Sequence, residues 1–302
     1  MCLSNMKFIY VFYLILLITS EIRMDNELKM TATQKDQICE SLKNNNSTQF
    51  NIIAIGTTSE RILLITKDYY VYDVPIDSLD QAHDKLHLPT KPTPIHDKYP
   101  LLFNNPIFHQ FRSFPSSSNA FIMNDGKNDW FFLSKRQGET MLKVYYNMDS
   151  SEVFTNLVPL VEKNEVLVSS DIPRHYYSVV RENNNLHMSI YRYDEDSDFK
   201  NISIIPTEGA KYSICYNPQN TKIMMEKGKQ CRSGIPVHWP VLKGFVSGNK
   251  FYLFGHSSIY IFDEAVYNNQ GKEYPVQKSV TILSSIVPIK KIQPEEIERK
   301  EN

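Results

Sequence analysis

Hydrophobic and polar residues alternate in short runs along most of the chain, with turn residues between the runs. Runs of about four to eight residues rich in Val, Ile, Tyr and Phe predict β-strands, and few windows are long enough for a helix. The predicted strands are Phe50–Ile55, Arg61–Ile65, Tyr69–Val74, Ala120–Met123, Trp130–Leu133, Met141–Tyr146, Glu165–Val168, Tyr176–Val180, Met188–Tyr193, Lys211–Tyr216, Phe245–Val246, Phe251–Phe254 and Ser258–Phe262. The predicted fold class is all-β.

A short aromatic unit recurs along these strands, each time after an apolar strand and a polar turn. Its copies are Tyr70–Asp73, Val144–Asn147, Tyr191–Asp194 and Tyr260–Asp263, which start 74, 47 and 69 residues apart. These spacings indicate a repeat of about 47 residues with two insertions, or with one copy hidden. Alternation along a strand would place Tyr70 and Tyr72 on one face and Val71 on the other, as where stacked sheets bury one aromatic surface.

The two insertions fall at residues 75–117 and 199–240. The first contains a predicted short helix, Ser78–Leu88, followed by a Pro-rich stretch that is typical of a loop. The second contains the strand pair Lys211–Tyr216 and Lys222–Met225, which would be a degenerate fifth unit.

The amino terminus has the pattern of a signal peptide. Lys7 precedes an apolar run of 12 residues, Phe8–Thr19, and the charged Glu21 and Arg23 follow. Crossing a bilayer takes about 20 apolar residues, so the run is too short for a stable membrane span. We expect a signal peptide at 1–20, a polar leader at 21–48, a folded domain at 49–288 and a disordered, Lys- and Glu-rich tail at 289–302, and hence a secreted, extracellular protein.

Export exposes the remaining cysteines to an oxidising compartment, where disulfides form. Cys2 would leave with the signal peptide, which leaves the odd number of Cys39, Cys215 and Cys231. Cys215 and Cys231 flank a polar segment and predict a local disulfide, with Cys39 free or in an intermolecular bond, although a bond from Cys39 to either of them is also compatible with the sequence.

Three Asn-x-Ser/Thr triplets are candidate glycosylation sites in an exported chain. They begin at Asn45, Asn46 and Asn201.

Charge argues against a nucleic acid partner. The chain has 33 Lys and Arg against 34 Asp and Glu, a formal charge of −1. No global field would therefore attract a phosphate backbone or an anionic membrane.

The last repeat carries a resemblance to a known family. Gly234–Pro236 precede a strand at Val241–Phe245, and the aromatic hairpin Asn249–Phe254 and Ile259–Asp263 follows. Near the amino terminus, Cys39 comes before Phe50–Ile53. Ser118–Phe121 occupies the position in the second repeat that Phe50–Ile53 occupies in the first. These motifs, over about residues 39–263, resemble the hemopexin-like four-bladed β-propeller, the module found in hemopexin, vitronectin and matrix metalloproteinases.

This resemblance implies a β-propeller with four blades, the degenerate unit allowing five, and a structural cation in a central channel. The chain departs from the family at two points. No cysteine follows Asp263, so the disulfide that joins the first and last blades in the family is missing. The family's inner-strand Asp is replaced by Asn51, Asn119 and Lys243, which puts the channel cation in doubt.

Other patterns suggest chemistry only weakly. His83 and His87 have the spacing of zinc ligands on a helix, but Asp84 stands where a metalloprotease has its Glu. The acidic run Asp194–Asp198 begins like a calcium loop but lacks the later Gly and Glu, so it predicts an exposed turn.

Two further patterns concern ligands. The basic stretch Lys222–Arg232 would suit a sulphated glycan or simply be an exposed disulfide loop. His238, beside Trp239, and His256 are candidate haem ligands.

The sequence predicts a secreted, non-catalytic binding module, not an enzyme, that recognises an extracellular protein or glycan through propeller loops. The Gly-rich phosphate loop, the Gly-x-Ser-x-Gly elbow and the Cys-x-x-Cys motif are all missing from the sequence. The alternatives are a secreted propeller hydrolase and a transport protein for haem or metal. A hydrolase would need convergent carboxylates, so the positions of Asp73, Asp194 and Asp263 distinguish the hypotheses.

Overall fold

The computed structural model describes eleven segments of the chain, all of which lie within a compact unit formed by residues 45–302. The described segments are 52–80, 85–88, 92–106, 108–109, 118–137, 140–159, 165–195, 202–206, 212–256, 258–279 and 286–288. The predicted signal peptide, the polar leader, Cys39, the glycosylation sites Asn45, Asn46 and Asn201, and the tail lie outside these segments. They stay predictions.

Strands dominate the described residues, and the helices are a single turn long. In chain order the strands are β1 (Ile52–Thr57), β2 (Arg61–Thr66), β3 (Tyr70–Pro75), β4 (Leu79–Asp80), β5 (Lys85–Leu88), β6 (Thr93–Pro94), β7 (Ser118–Asn124), β8 (Asp129–Gln137), β9 (Thr140–Asn147), β10 (Val153–Pro159), β11 (Glu165–Ser169), β12 (His175–Glu182), β13 (Asn185–Glu195), β14 (Ile202–Pro206), β15 (Tyr212–Asn217), β16 (Lys222–Lys227), β17 (Ile235–Pro236), β18 (Lys243–Ser247), β19 (Lys250–Phe254), β20 (Ile259–Asp263), β21 (Tyr274–Pro275), β22 (Gln277–Ser279) and β23 (Ile286–Pro288). The helices are a 3-10 turn at Ile76–Ser78, α1 (Ile95–Lys98), α2 (Pro100–Phe103) and α3 (Ala265–Asn268). The prediction of an all-β fold is confirmed.

Most strands belong to four antiparallel meanders. Their strand orders are β1-β2-β3-β6, β7-β8-β9-β10, β11-β12-β13-β14 and β18-β19-β20-β22. The first three strands of each meander pair through short turns, so each meander is built mainly from local contacts along the chain, while β6 and β22 join after longer connections. We refer to them as the first, second, third and fourth meanders.

The first strands of the four meanders lie next to one another in a ring. β1 contacts β7 and β18, and β11 contacts the same two strands from the other side. Ser169 of β11 and Phe245 of β18 also pair as parallel neighbours. Sheets that run outward from a ring of central strands form a β-propeller. The prediction of a β-propeller is therefore confirmed.

Gly56 of β1 lies where the ring is tightest. A methyl group on Gly56 would collide with the side chains of Ile122 and Ser169, and it would lie 2.8 Å from the backbone nitrogen of Ile122. Glycine is therefore required because backbone of the second meander approaches this position directly.

The aromatic repeat units occupy equivalent places in the four sheets. Tyr72, Tyr146, Tyr193 and Phe262 lie on β3, β9, β13 and β20, which are the third strands of successive meanders. Tyr72, Tyr146 and Phe262 are each at most 3% exposed. The repeat read from the sequence thus identifies real structural equivalents.

The strands are buried on both faces, not on one face as the alternation suggests. Val71 is 1% exposed although Tyr70 and Tyr72 on the opposite face are buried as well. All four residues of Ile62–Ile65 are also at most 1% exposed. A sheet that packs between two neighbouring sheets has no solvent face, which explains the continuous apolar runs.

The predicted helix at Ser78–Leu88 is wrong. Leu79–Asp80 and Lys85–Leu88 are strands, and β5 pairs with β4 and, in parallel, with β23 near the carboxyl end of the chain. Strand pairing overrides the local helix propensity of this segment. His87 therefore lies in a strand, which removes the helical spacing of the zinc motif, and His83 lies outside the described residues.

The Pro-rich stretch is more ordered than a predicted loop. It contains α1 and α2, and Pro100 begins α2, where its fixed φ suits the first helical turn. Tyr69 packs edge-to-face on Phe103, and Tyr99 packs in the same way on Tyr146 of the second meander. The first insertion thus covers parts of two sheets.

The strand pair β15 and β16 is not a separate sheet. Leu186–Met188 of β13 pair with residues 212–214 of β15, while the later residues of β13 pair with β14. Since β13 is 11 residues long, it pairs with both β14 and β15 in addition to β12. The second insertion therefore extends the third meander along β13.

An ion-pair network joins the first and second meanders. Arg61 Nε lies 2.7 Å from a carboxylate oxygen of Asp129, and its other nitrogens lie 3.5 Å from Asp73 and 3.0 Å from Asp149. The Thr58 hydroxyl also donates to Asp129 over 3.2 Å. Burial raises the pKa of Asp129, and the Arg61 charge opposes that shift. Arg61 thus forms ion pairs with carboxylates of both the first and the second meander.

The third and fourth meanders are joined by a buried hydrogen bond. The Tyr177 hydroxyl donates to Glu264 over 2.5 Å, and the Gly248 amide donates to Asp171 over 3.0 Å. Burial raises the pKa of Glu264, to which the charges of Asp171 and Asp263 also contribute. The carboxyl therefore holds its proton to higher pH when the chain is folded.

We expect Gly56→Ala to lower the free energy of unfolding by about 2–3 kcal/mol, because the methyl group overpacks the ring of first strands. Urea unfolding of the single and double variants with Ile122→Ala measures the coupling between the sites. If the collision with Ile122 is the cause, the double variant is more stable than the sum of the single losses predicts. Strict additivity would contradict this account.

We expect Glu264→Gln to flatten the pH dependence of stability. The pKa of Glu264 in the folded state lies above the ordinary value of 4.5. Between these two pKa values the folded state binds more protons than the unfolded state, so wild-type stability falls as the pH rises. Glutamine keeps an oxygen that accepts from Tyr177 but has no charge to desolvate. Relative to wild type, the variant therefore gains stability in urea unfolding as the pH rises above about 4.5. Glu60→Gln, at an exposed position, is the control and leaves the wild-type slope unchanged.

Candidate functional site

The predicted disulfide between Cys215 and Cys231 is confirmed. Cys215 lies on β15 and is completely buried, and Cys231 lies in the segment that follows β16. The bond closes a 16-residue separation within the second insertion. Cys39 takes no part in it.

The chain after the disulfide folds back on β15. Ile235–Pro236 form β17, which pairs with Cys215 and Tyr216. Just before β17, a methyl group on Gly234 would lie 2.9 Å from the Tyr216 carbonyl oxygen, so only glycine allows this close approach. The disulfide, the strand pair and the glycine together fix the start of the segment 231–240.

Arg181 fixes the end of that segment. Its guanidinium extends from β12 and donates to the Val237 carbonyl over 3.0 Å and to the Trp239 carbonyl over 2.8 Å. Partial burial lowers the pKa of Arg181. A planar guanidinium with several donors can bind two nearby carbonyls at once, so the backbone is held at both Val237 and Trp239.

Trp239 lies parallel to Tyr260 of β20. The ring centroids are 3.8 Å apart with an angle of 10° between the planes. The Lys278 ammonium, from β22, lies over the Tyr260 ring at 5.9 Å from its centroid. Residues from the second insertion and from the fourth meander thus meet around one aromatic pair.

A cleft opens at this aromatic pair, with a volume of about 390 Å³. We call it the aromatic cleft, and it is lined by Tyr216, Thr221, Val237, His238, Trp239, Tyr260, Val276 and Lys278. This volume falls in the range of small-molecule sites, which are mostly apolar with a few polar groups.

The polar groups of the aromatic cleft are mainly donors. Within the described part of the chain, the Tyr216 hydroxyl, the Trp239 indole N–H and the Lys278 ammonium have no hydrogen-bond partner. Burial raises the pKa of Tyr260, so its hydroxyl stays protonated at neutral pH. Asp and Glu are missing from the lining. The cleft therefore favours a ligand that accepts hydrogen bonds.

The sequence pointed to only part of this site. His238 was a candidate haem ligand, and it lies exposed in the lining of the cleft. Tyr260 was assigned to the repeat core, where it also belongs. The available signal was Trp239, one of two Trp residues in the chain, placed between the disulfide and the last repeat. Only the tertiary structure shows that Trp239 stacks on Tyr260.

The other candidate residues do not converge on the cleft. Asp73 pairs with Arg61 and Lys98, and exposed Asp263 accepts from the Ala265 amide. Asp73, Asp194 and Asp263 belong to β3, β13 and β20, the third strands of three different meanders.

The basic stretch and the remaining histidine are also placed. Lys222 begins β16 and lies 3.8 Å from Glu273, and Arg232 follows Cys231 at the surface. His256 is exposed between β19 and β20. Across the described segments, no three His, Cys, Asp or Glu side chains are grouped to hold a metal ion.

A second, more open cavity of about 610 Å³ lies at the first insertion. Its lining includes Leu101, Asn104, Glu152 and Phe154, and Leu101 is 52% exposed. It lacks the fixed aromatic pair of the aromatic cleft.

None of the helices in the described segments is long and apolar enough to cross a membrane.

Comparisons with known proteins do not assign a family. No protein-family model matches the chain, and no curated protein matches it either. Among solved structures, it is similar to a chain in the crystal structure of a nidogen/laminin complex, with 11% identity over 74% of this chain and 80% of that chain, and a TM-score of 0.35. The class that the strand pairing defines is a β-propeller, with an aromatic cleft between its second insertion and its fourth meander.

We expect Arg181→Ala to loosen the Trp239 side of the cleft. Losing two hydrogen bonds from a charged donor would lower stability by about 1–3 kcal/mol and make Trp239 more accessible to acrylamide. Because Trp130 is 1% exposed, the change in fluorescence quenching reports on Trp239. Arg232→Ala, an exposed arginine of the same insertion, serves as the control. Equal quenching in wild type and the Arg181 variant would show that the guanidinium does not hold the segment.

Proposed function

We propose that the chain is an exported, four-bladed, hemopexin-like propeller that binds an extracellular protein or glycan and catalyses no reaction. Four meanders with equivalent aromatic third strands support the blade number. The signal-peptide pattern and the Cys215–Cys231 disulfide support export, because disulfides persist in oxidising compartments.

The aromatic cleft carries this proposal. It joins a preformed aromatic pair to a backbone segment held by a disulfide and by Arg181. Such rigidity lowers the entropic cost of binding, since few groups need to be ordered when a ligand enters. A cleft between an insertion and a blade is also where propeller loops gain specificity.

The arrangement of the carboxylates supports binding without chemistry. A hydrolase would bring acid and base groups together with one of them close to the reacting atom. Asp73 is instead bound in an ion-pair network, and Asp263 caps the turn into α3. Both therefore have structural partners.

Ring closure would differ from that of the hemopexin-like family. Residues 264–302 contain no cysteine that could form the family disulfide between the first and last blades. Instead, β23 pairs with β5 of the first insertion, which joins the carboxyl end of the domain to its first part. Strand pairing would take over the role of the disulfide.

The test uses the full chain, expressed in a secreting cell line and purified from the medium. We expect a mature amino terminus near residue 21 and binding to a subset of an array of defined extracellular glycans and proteins. Trp239→Ala should weaken that binding more than about tenfold, as for a central aromatic contact. Leu101→Ala, in the second cavity, is the matched control and should bind like wild type.

Two results would contradict the proposal. Retention of the chain inside the cells, with residues 1–20 still attached, would show that the protein is not exported. Binding that survives Trp239→Ala but is lost in Leu101→Ala would move recognition to the first insertion.

A further inference from the structure

The charge of the aromatic cleft selects the kind of ligand. Lys278 and His238 are its two basic residues, and its lining contains no carboxylate. An anion gains from such a site because no acidic group of the lining competes for the ammonium. A positively charged ligand would meet repulsion from Lys278.

Cations are also disfavoured by the geometry of the rings. Sites for quaternary ammonium groups surround the cation with several aromatic faces. Here Trp239 and Tyr260 are parallel and cover one another at 3.8 Å, and the Lys278 ammonium already lies over the Tyr260 ring. The Lys278 ammonium therefore occupies the position over Tyr260 that a cationic ligand would need.

Trp239 offers a flat apolar surface beside these donors. The indole is half-buried, and because one face is covered by Tyr260, the part open to solvent belongs to its other face and edges. A sugar ring has one apolar face of C–H groups and a rim of hydroxyl groups. Packed against the part of the indole that lines the cleft, it would bury that face and leave its oxygens to accept from surrounding donors.

The size of the cleft limits how much of a glycan can enter. Its volume of about 390 Å³ is near the lower end of small-molecule sites. This suits the terminal unit of a glycan better than a long stretch of polymer.

We propose that the aromatic cleft binds a carboxylated sugar at the end of a glycan, with its carboxylate at Lys278 and its apolar C–H groups against the part of the Trp239–Tyr260 pair that lines the cleft. Tyr216 donates from its hydroxyl to the ring or hydroxyl oxygens. The assignment rests on the proposed function, since it names the ligand class of the same cleft. It does not involve the exposed lysines of the basic stretch, which lie outside the lining.

The test measures tryptophan fluorescence of the full mature chain during titration with 3′-sialyllactose and with a glucuronate-terminated tetrasaccharide. Lactose and a neutral chitin tetrasaccharide are the uncharged counterparts. The chain has two Trp residues and Trp130 is buried, so a saturable change in emission reports on Trp239. We expect at least one acidic sugar to bind about tenfold more tightly than its neutral counterpart.

The matched variants are Lys278→Gln and Lys272→Gln. Lys272 is also an exposed lysine over a tyrosine ring, 5.6 Å from the Tyr274 centroid, but it does not line the cleft. Lys278→Gln should remove the preference for the acidic sugar, with about a tenfold loss, and leave the affinity for the neutral one unchanged. Lys272→Gln should keep wild-type affinities, and circular dichroism checks that both variants fold.

Several outcomes would overturn the assignment. Equal affinity for acidic and neutral sugars, or equal losses in the two lysine variants, would show that Lys278 does not select a carboxylate. If no sugar binds but array proteins do so in a Trp239-dependent manner, the ligand class is wrong and the binding function stands. If neither sugars nor array ligands depend on Trp239, both proposals fail.

Discussion

The contact of four first strands at the centre of the domain is the constraint on which the rest of the structure depends. β1, β7, β11 and β18 lie close enough that Gly56 has no room for a methyl group beside Ile122 and Ser169. A sheet that starts at such a centre must run outward between two neighbours, so its strands are apolar on both faces. Tyr72, Tyr146 and Phe262 on the third strands are buried as well, so the apolar core extends outward from the ring of first strands.

Polar contacts between neighbouring sheets add orientation to this apolar packing. Arg61 serves carboxylates of the first and second meanders, and the bond from Tyr177 to Glu264 spans the third and fourth. Buried charged groups cost desolvation, so such contacts specify how sheets align more than they add stability. The raised pKa values of Asp129 and Glu264 reflect that cost.

The second insertion converts this scaffold into a candidate site. Its hairpin extends β13, the disulfide holds its return segment, and Arg181 from the third meander fixes the backbone of Trp239. Trp239 then stacks on Tyr260, a residue of the repeat itself. Recognition would therefore use a rigid blade on one side and an added loop on the other, which separates the demands of folding from those of binding.

The sequence alone determined the strands, the aromatic repeat and the local disulfide. Each follows from a period, a recurring unit or a short separation along the chain, as the positions of Tyr72, Tyr146 and Phe262 on third strands illustrate. Only the tertiary structure decided that Lys85–Leu88 pairs with β23 as a strand and that β15 joins the third sheet. It also decided that Trp239 meets Tyr260, because partners distant along the chain leave no period in the sequence that could reveal them.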